Sequence, residues 1–454
     1  MSDFLQIVNR YICGIPVLIL IVGTGLYLTY RTGFVQFRLF PRAYRVFAAQ
    51  LFAKKEGESG TSPYQALCTA LAATVGTGNL AGVAGAIAIG GPGAIFWMWI
   101  FGILGMATKY AEATLAVRFR RHIGKNECIG GPMYMIETGL KGKGRFLAVM
   151  YCLFGVAASF GVGNATQINA AVSGINCVFT AYQGKQTQIG NLLMGITFAL
   201  LIAIMLSGGL KKIGTITENL VPVASVFYIL LCIGGLIICR DRIWDAFVRI
   251  CVGAFSPSSV TGGMVASLIT VLRVGAMRGV FTNEAGLGTA SIAHAAANVK
   301  HPTQQGLMGI MEVFLDTIVI CTLTALVILS SGLDIVFGND TGMTLTNAAF
   351  VHVYGDWVCI PLAIALCLFA VATVLGWSLY GCRCAQYLFG EKSWKVLVVL
   401  QVITVVVGAC MQTETVWSLS EIANGMMAIP NLAALVLLTP ELVRLTQQTR
   451  THEV

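Results

Sequence analysis

One stretch restricts the folds open to this chain more than any other: the string AATVGTGNLAGVAG, set inside the apolar run Tyr64 to Ile89. The run is long enough to cross a bilayer, which takes roughly 20 residues. Its middle, however, holds Gly76, Gly78 and the polar Thr74, Thr77 and Asn79. Glycine costs about 1 kcal/mol in a helix interior, so two glycines alternating with hydroxyl and amide side chains favour local unwinding. Unwound backbone at membrane depth is tolerated only where protein buries it or where it lines a cavity. The expectation is a broken helix whose freed N–H and C=O groups bind a solute and an ion.

The rest of the chain agrees with a membrane setting. With 454 residues, 56% of them hydrophobic and 11% charged, and a mean hydropathy of +0.79, it reads as an all-α polytopic integral membrane protein in contact with the lipid bilayer. The net charge of +9 sits in alternate loops, so it marks membrane orientation and gives no case for a nucleic-acid partner. Most of the 14 cysteines lie in apolar segments. The close pair Cys382 and Cys384 has no second pair at metal spacing, so small buried hydrophobes are the expected role. The run Ile12 to Tyr30 lacks a small-residue cleavage site and leads into basic residues, which makes it a retained span.

Loop charge then sets the topology. Arg31, Arg38, Arg42, Arg45, Lys54 and Lys55 hold the loop after the first span in the cytoplasm, which puts the N-terminus outside. Basic clusters around Arg118 to Arg145, at Lys211 and Lys212, at Lys300 and His301, at Arg383 and Lys392, and at Arg444 and Arg450 continue the alternation. Eleven spans result, with a cytoplasmic C-terminus; only the Arg240 to Arg249 segment runs against the bias. A second glycine-interrupted segment, Arg273 to Thr289, lies inside the overlong run Gly262 to Ala297. Setting the first span aside, the two interrupted segments are the first and sixth of ten. Five spans reverse orientation, so the halves are inverted repeats, and breaks at matching places point to a transporter site at the midplane. The expected divisions are 1–63, an N-terminal span and cytoplasmic loop; 64–239 and 240–439, the two five-helix repeats; and 440–454, a cytoplasmic tail.

Three strings carry a resemblance: TALAATVGTGNLAGVAGAIAIGGPGAIFWMWI, GGPMYMI at Gly130 to Ile136, and GVFTNEAGLGTA at Gly279 to Ala290. They resemble the alanine or glycine:cation symporter family, a branch of the amino acid/polyamine/organocation superfamily, over nearly the whole chain. The resemblance implies a leucine-transporter-like five-plus-five inverted repeat with one extra N-terminal helix. It also implies a sodium-coupled importer of alanine and glycine in a bacterial-type inner membrane, with Na+ as coupling ion, no other cofactor and no enzymatic activity. Another cation- or proton-coupled amino-acid transporter of this fold is the alternative, followed by an ion channel.

A small zwitterion needs N–H donors for its carboxylate, acceptors for its ammonium and a tight apolar wall. The outward half-helix beginning near Gly78 turns the positive end of its dipole toward the break, which suits a carboxylate and assigns Thr74, Gly76, Thr77, Gly78 and Asn79 to the substrate. Carbonyls at the end of the inner half, those of Ala72 and Val75, suit Na+. The bland reading is that these glycines serve helix packing. Thr373 and Trp377 are four apart on one helix face. By similarity to the fold, Thr373 offers a hydroxyl to sodium or substrate and Trp377 walls the pocket; otherwise Thr373 bonds its own helix and Trp377 is core. Of three amides on the long fourth span, Asn164, Gln167 and Asn169, Gln167 is the expected substrate contact. At the second break, backbone around Gly275, Ala276, Met277 and Gly279 is expected to face the substrate, with Phe281 as lid or wall. Arg278 and Glu284 are read as an internal ion pair, Glu312 and Asp316 as a carboxylate pair on one face, and Lys109 and Glu112 as snorkelling groups near a helix end.

Overall fold

The computed structural model describes residues 14–51, 60–123, 127–182, 184, 186–263, 267–338, 342–411 and 413–451. The loop residues Lys54, Lys55 and Lys125 lie outside the described residues, as does the start of the expected first span. A short apolar helix α1 (Ile15–Arg31) comes first, followed by an amphipathic α2 (Phe40–Leu51). The first broken segment is α3 (Pro63–Thr74) and α4 (Ala81–Gly90), and α5 (Gly93–Arg118) turns back from it. The turn is made at Gly91, whose φ of 74° ends α4 where an L side chain is strained.

A hairpin of β1 (Arg121–Ile123) and β2 (Glu127–Ile129) leads to α6 (Pro132–Gly139). Next, α7 (Arg145–Phe160) and α8 (Thr166–Ala181) join through a π-helical turn at Gly161–Ala165, so the expected long fourth span is one rod with a bulge. The first half closes with α9 (Gln188–Ser207) and α10 (Gly209–Ile238).

The second half opens with a helix outside the apolar spans, α11 (Ile243–Phe255), and the second interrupted pair, α12 (Leu268–Asn283) and α13 (Thr289–His294). Then α14 (Pro302–Val313) continues through a π-helical Phe314–Cys321 into α15 (Thr322–Ser330). A helix α16 (Gly342–Tyr354) precedes α17 (Cys359–Phe389), α18 (Ser393–Cys410) and α19 (Thr413–Thr451).

Eight of the described helices are long and apolar enough to cross a membrane, and nine when α3 and α4, bent by 57° at their break, count as one span. Their burial separates inner from outer helices. The spans built on α5, α14–α15 and α17 are 67%, 67% and 72% buried, whereas those on α9, α10 and α18 are 28% buried and keep an apolar face for lipid. The broken segments pack together at the centre: α3 lies against the buried α17 and the outer α10, α4 against α12 and α16, and α12 along the buried α5.

The basic segment that runs against the charge bias has a local explanation. Arg242 Nη1 donates to the Ser331 carbonyl at 3.1 Å, and Arg249 Nη1 reaches the Leu329 carbonyl at 3.5 Å. These are the unsatisfied carbonyls at the C-terminal end of α15, where a cation complements the helix dipole.

Candidate functional site

The first break follows from where its N–H groups go. Ser62 Oγ accepts the Gln65 N–H at 3.0 Å, and Pro63 at the first helical position forfeits no hydrogen bond, so α3 starts firmly. At its other end the Gly76 N–H donates to Asn79 Oδ1 at 2.9 Å, the Thr77 N–H to Gln167 Oε1 at 3.4 Å, and the Asn79 N–H to the Gly76 carbonyl at 3.2 Å. In an unbroken helix those three donors would cap the carbonyls of Ala72, Ala73 and Val75. Their diversion releases these oxygens, and the chain makes one tight turn, Thr77–Asn79, before helix resumes at Ala81.

Asn79 is the hinge pin of this turn. Its Oδ1 closes the break, while its Nδ2 donates to Asp316 Oδ1 at 2.7 Å and to the Asp316 carbonyl at 3.2 Å on the facing π-helical segment. Thr74, grouped with the break in the sequence, turns its hydroxyl back to the Ala70 carbonyl at 3.4 Å.

The oxygen of Thr373 is aimed at this turn from α17. Thr373 Oγ1 is buried and has no hydrogen-bond partner among the described residues, and a Cβ built on Gly76 would lie 2.7 Å from it and 3.1 Å from Gln167 Oε1. Gly376, on the same face of α17, brings that helix against Ala73: a Cβ there would be 3.0 Å from the Ala73 nitrogen. A buried hydroxyl whose oxygen accepts no hydrogen bond among the described residues, beside released carbonyls, makes an all-oxygen set, the kind a hard cation takes. The alternative, that Thr373 bonds its own helix, is not what the geometry has.

The three amides of the fourth span part company. Asn164 Nδ2 donates to the Gln401 carbonyl at 2.9 Å, and Asn169 Nδ2 to the carbonyls of Gly408 and Met411 at 3.2 and 2.8 Å, so both tie α8 and its bulge to α18. Gln167 alone reaches the first break, where its Oε1 accepts from Thr77 Oγ1 at 3.0 Å.

The second break lies further along the chain than the glycine spacing implies. Gly275, Ala276, Met277, Gly279 and Phe281 are all inside α12. Gly275 and Gly279 face α5, where an added Cβ would strike the Ala94 carbonyl and approach Met98, so they are packing glycines. Backbone unwinds instead between Asn283 and Thr289, with Glu284, Gly286 and Gly288 at φ 52°, 99° and 78°. Phe281 and Thr282 nevertheless adjoin the first break: a Cβ on Gly78 would be 3.8 Å from the Phe281 ring and 3.3 Å from Thr282 Cγ2.

The expected Arg278–Glu284 pair is replaced by another arrangement. Glu284 Oε1 accepts from the Trp377 indole at 3.0 Å and Oε2 from the Thr289 hydroxyl at 2.6 Å. Trp377 is fully buried, packed on Gly163 of the bulge, so it joins the fourth span, α17 and the second break.

Lys109 and Glu112 do not snorkel; both are buried. Lys109 Nζ pairs with Glu312 Oε1 at 3.0 Å, and Glu312 Oε2 meets His294 Nε2 at 2.8 Å. Glu112 Oε1 accepts the Gly286 and Gly288 N–H groups, each at 3.0 Å, and Asn431 Nδ2 at 2.8 Å. A carboxylate from α5 thus holds open the backbone of the second break. Asn431 is the member that sequence reasoning misses, because a lone amide in the last span has no motif around it.

The ends of this centre differ. On one side Thr346 Oγ1 of α16 donates to the Leu80 carbonyl at 3.0 Å, covering the first break. On the other a cavity of about 310 Å³ is lined by Thr61, Gln65 and Thr69 of the first broken segment, Ala293 of the second, Lys211 and Arg383.

The model of the sodium:alanine symporter family matches residues 1–453. The chain belongs to that family. It is 42% identical to the sodium/alanine symporter AgcS of Methanococcus maripaludis, over 98% of this chain and 97% of the relative. It is 36% identical to the amino-acid carrier protein AlsT of Bacillus subtilis, over 92% and 86% of the two chains. Among solved structures it is similar to MhsT in complex with L-phenylalanine, with a TM-score of 0.60 and 16% identity, covering 84% of this chain and 90% of that one. That likeness establishes the leucine-transporter-like fold. The symporter is therefore a multi-pass, sodium-coupled carrier of small amino acids and not an enzyme.

Proposed function

We propose that the symporter imports alanine and glycine with Na+ and that both bind at the first break. The observation that carries this reading is the placing of the released Ala72 and Val75 carbonyls near the buried Thr373 hydroxyl, beside N–H donors of the turn Gly76–Asn79. The ion takes the oxygens, and the substrate carboxylate takes the donors of Gly76, Thr77, Gly78 and Asn79, displacing the protein acceptors, Gln167 Oε1 among them, that hold those of Gly76, Thr77 and Asn79 in this structure. Phe281 and Trp377 form the apolar wall. Phe281 and Thr282 lie against Gly78, 3.8 and 3.3 Å from a Cβ built there, which supports a small substrate side chain at this wall.

In this reading α1 and the interrupted α12–α13 also cross the membrane, which brings the spans to eleven. The N-terminus is outside a bacterial-type inner membrane and the C-terminus is cytoplasmic. Residues 64–239 and 240–439 are the inverted repeats that rock about the site. The cover made by Thr346 and the cavity beside Gln65 and Thr69 then belong to a state closed outside and opening inward.

Calorimetry on the purified protein tests the substrate and the ion together. Alanine and glycine are expected to bind in NaCl and not in choline chloride, while phenylalanine does not bind in either. Equal binding of alanine in the two salts would contradict a shared site.

A further inference from the structure

The first break is already satisfied by the protein itself. Gln167 Oε1 accepts from both the N–H and the hydroxyl of Thr77, at 3.4 and 3.0 Å, and it is the oxygen nearest the missing Cβ of Gly76 after Thr373 Oγ1. These are donors that a bound carboxylate would use, and one N–H cannot serve two acceptors well. The other end of the amide is anchored on the π-helical turn: Gln167 Nε2 donates to the Val162 carbonyl at 3.0 Å. Val162 O also accepts from Thr166 Oγ1 at 2.9 Å, so it stays bonded when the amide leaves.

We infer that Gln167 is a stand-in for the substrate carboxylate. Its amide oxygen holds the carboxylate position in the substrate-free protein and must swing away before an amino acid binds. This deepens the proposed assignment of the first break and rests on it. A plug of this kind keeps the buried N–H of Thr77 from being orphaned between transport cycles. It also lowers apparent affinity, because only the fraction of molecules with the amide displaced can bind. A residue that only contacts the substrate would act in the opposite direction, raising affinity.

Two substitutions separate the roles. In saturating NaCl, Gln167→Ala is expected to bind labelled alanine about fivefold more tightly than wild type. Gln167→Glu puts a tethered carboxylate on the same donors, and alanine affinity should fall at least about 100-fold. An independent readout needs no amino acid: Na+ alone should raise the melting temperature of Gln167→Glu more than that of wild type, because the tethered carboxylate completes the ion's surroundings. Weaker alanine binding by a monodisperse Gln167→Ala would overturn the inference, as would an unaltered sodium response in Gln167→Glu. Failure of wild type to bind alanine or glycine would instead sink the substrate assignment, and the sodium response of Gln167→Glu would still decide the role of residue 167.

Discussion

Thr373 shows how much a single buried group can say when its partners are counted. A hydroxyl inside a packed helix usually bonds the carbonyl one turn back, as Thr69, Thr74 and Thr166 do here. Thr373 does not, and leaving a buried polar atom unsatisfied costs about 1–3 kcal/mol. In the proposed site the cost is offset when Na+ binds at this oxygen, and this gives a prediction. Thr373→Val, an isostere without the oxygen, should weaken Na+ at least about tenfold, a loss of roughly 1.4 kcal/mol. It should leave the sodium-free melting temperature unchanged or slightly raised, since no protein hydrogen bond is lost. Sodium-dependent thermal melting of the two proteins measures both quantities, and a lower sodium-free melting temperature would mean that the hydroxyl has a structural partner. Asn79 and Gln167 lie at the opposite extreme, each with both ends of its amide engaged.

At the scale of elements, the two breaks are made differently. The first is closed by side chains within the turn and from its neighbours, and its glycines sit where α17 leaves no room for a Cβ on Gly76 and α12 only a tight fit for one on Gly78. That is why it can be read from the sequence: glycines, hydroxyls and an amide in an apolar run leave few other outcomes. The second break could be read as present but not placed. Gly275 and Gly279 are spaced four apart like a packing face, and they prove to be one, whereas the unwinding occurs at Glu284, Gly286 and Gly288 and needs Glu112 from α5 to hold it. No local pattern around Gly286 and Gly288 reveals a partner 174 and 176 positions upstream, and Glu112 by itself reads as a snorkelling group near a helix end. Glu112→Ala would strand two backbone N–H groups and leave Asn431 Nδ2 only its bond to the Gly286 carbonyl, so a loss of about 3 kcal/mol and of uptake is expected. Glu112→Gln keeps an acceptor and should retain most of the stability. Melting curves of the two variants in detergent check this; equal stability of Glu112→Ala and wild type would mean the second break holds itself.

For the whole molecule, the topology rests on loop charge, and the one segment that opposes the charge bias has Arg242 and Arg249 engaged on the end of α15. Two of the buried links join elements that belong to different repeats in the proposed division. Lys109 of α5 pairs with Glu312 of α14, and Asn79 of the first break with Asp316 of the π-helical turn that follows. Breaking a buried pair costs several kcal/mol, so these links couple the first break to the second half rather than leaving the halves independent. In the proposed inward-opening state, the Thr346 contact at one end and the cavity beside Gln65 and Lys211 at the other would give that coupling a direction. The central claim, that one break binds ion and amino acid together, predicts that neither is transported without the other. The direct test is uptake of labelled alanine into liposomes holding the purified protein at zero membrane potential. With an inward Na+ gradient, alanine should accumulate transiently above its outside concentration and then leak back as the gradient decays. Equilibration to the same level with and without the gradient would contradict coupling at a shared site.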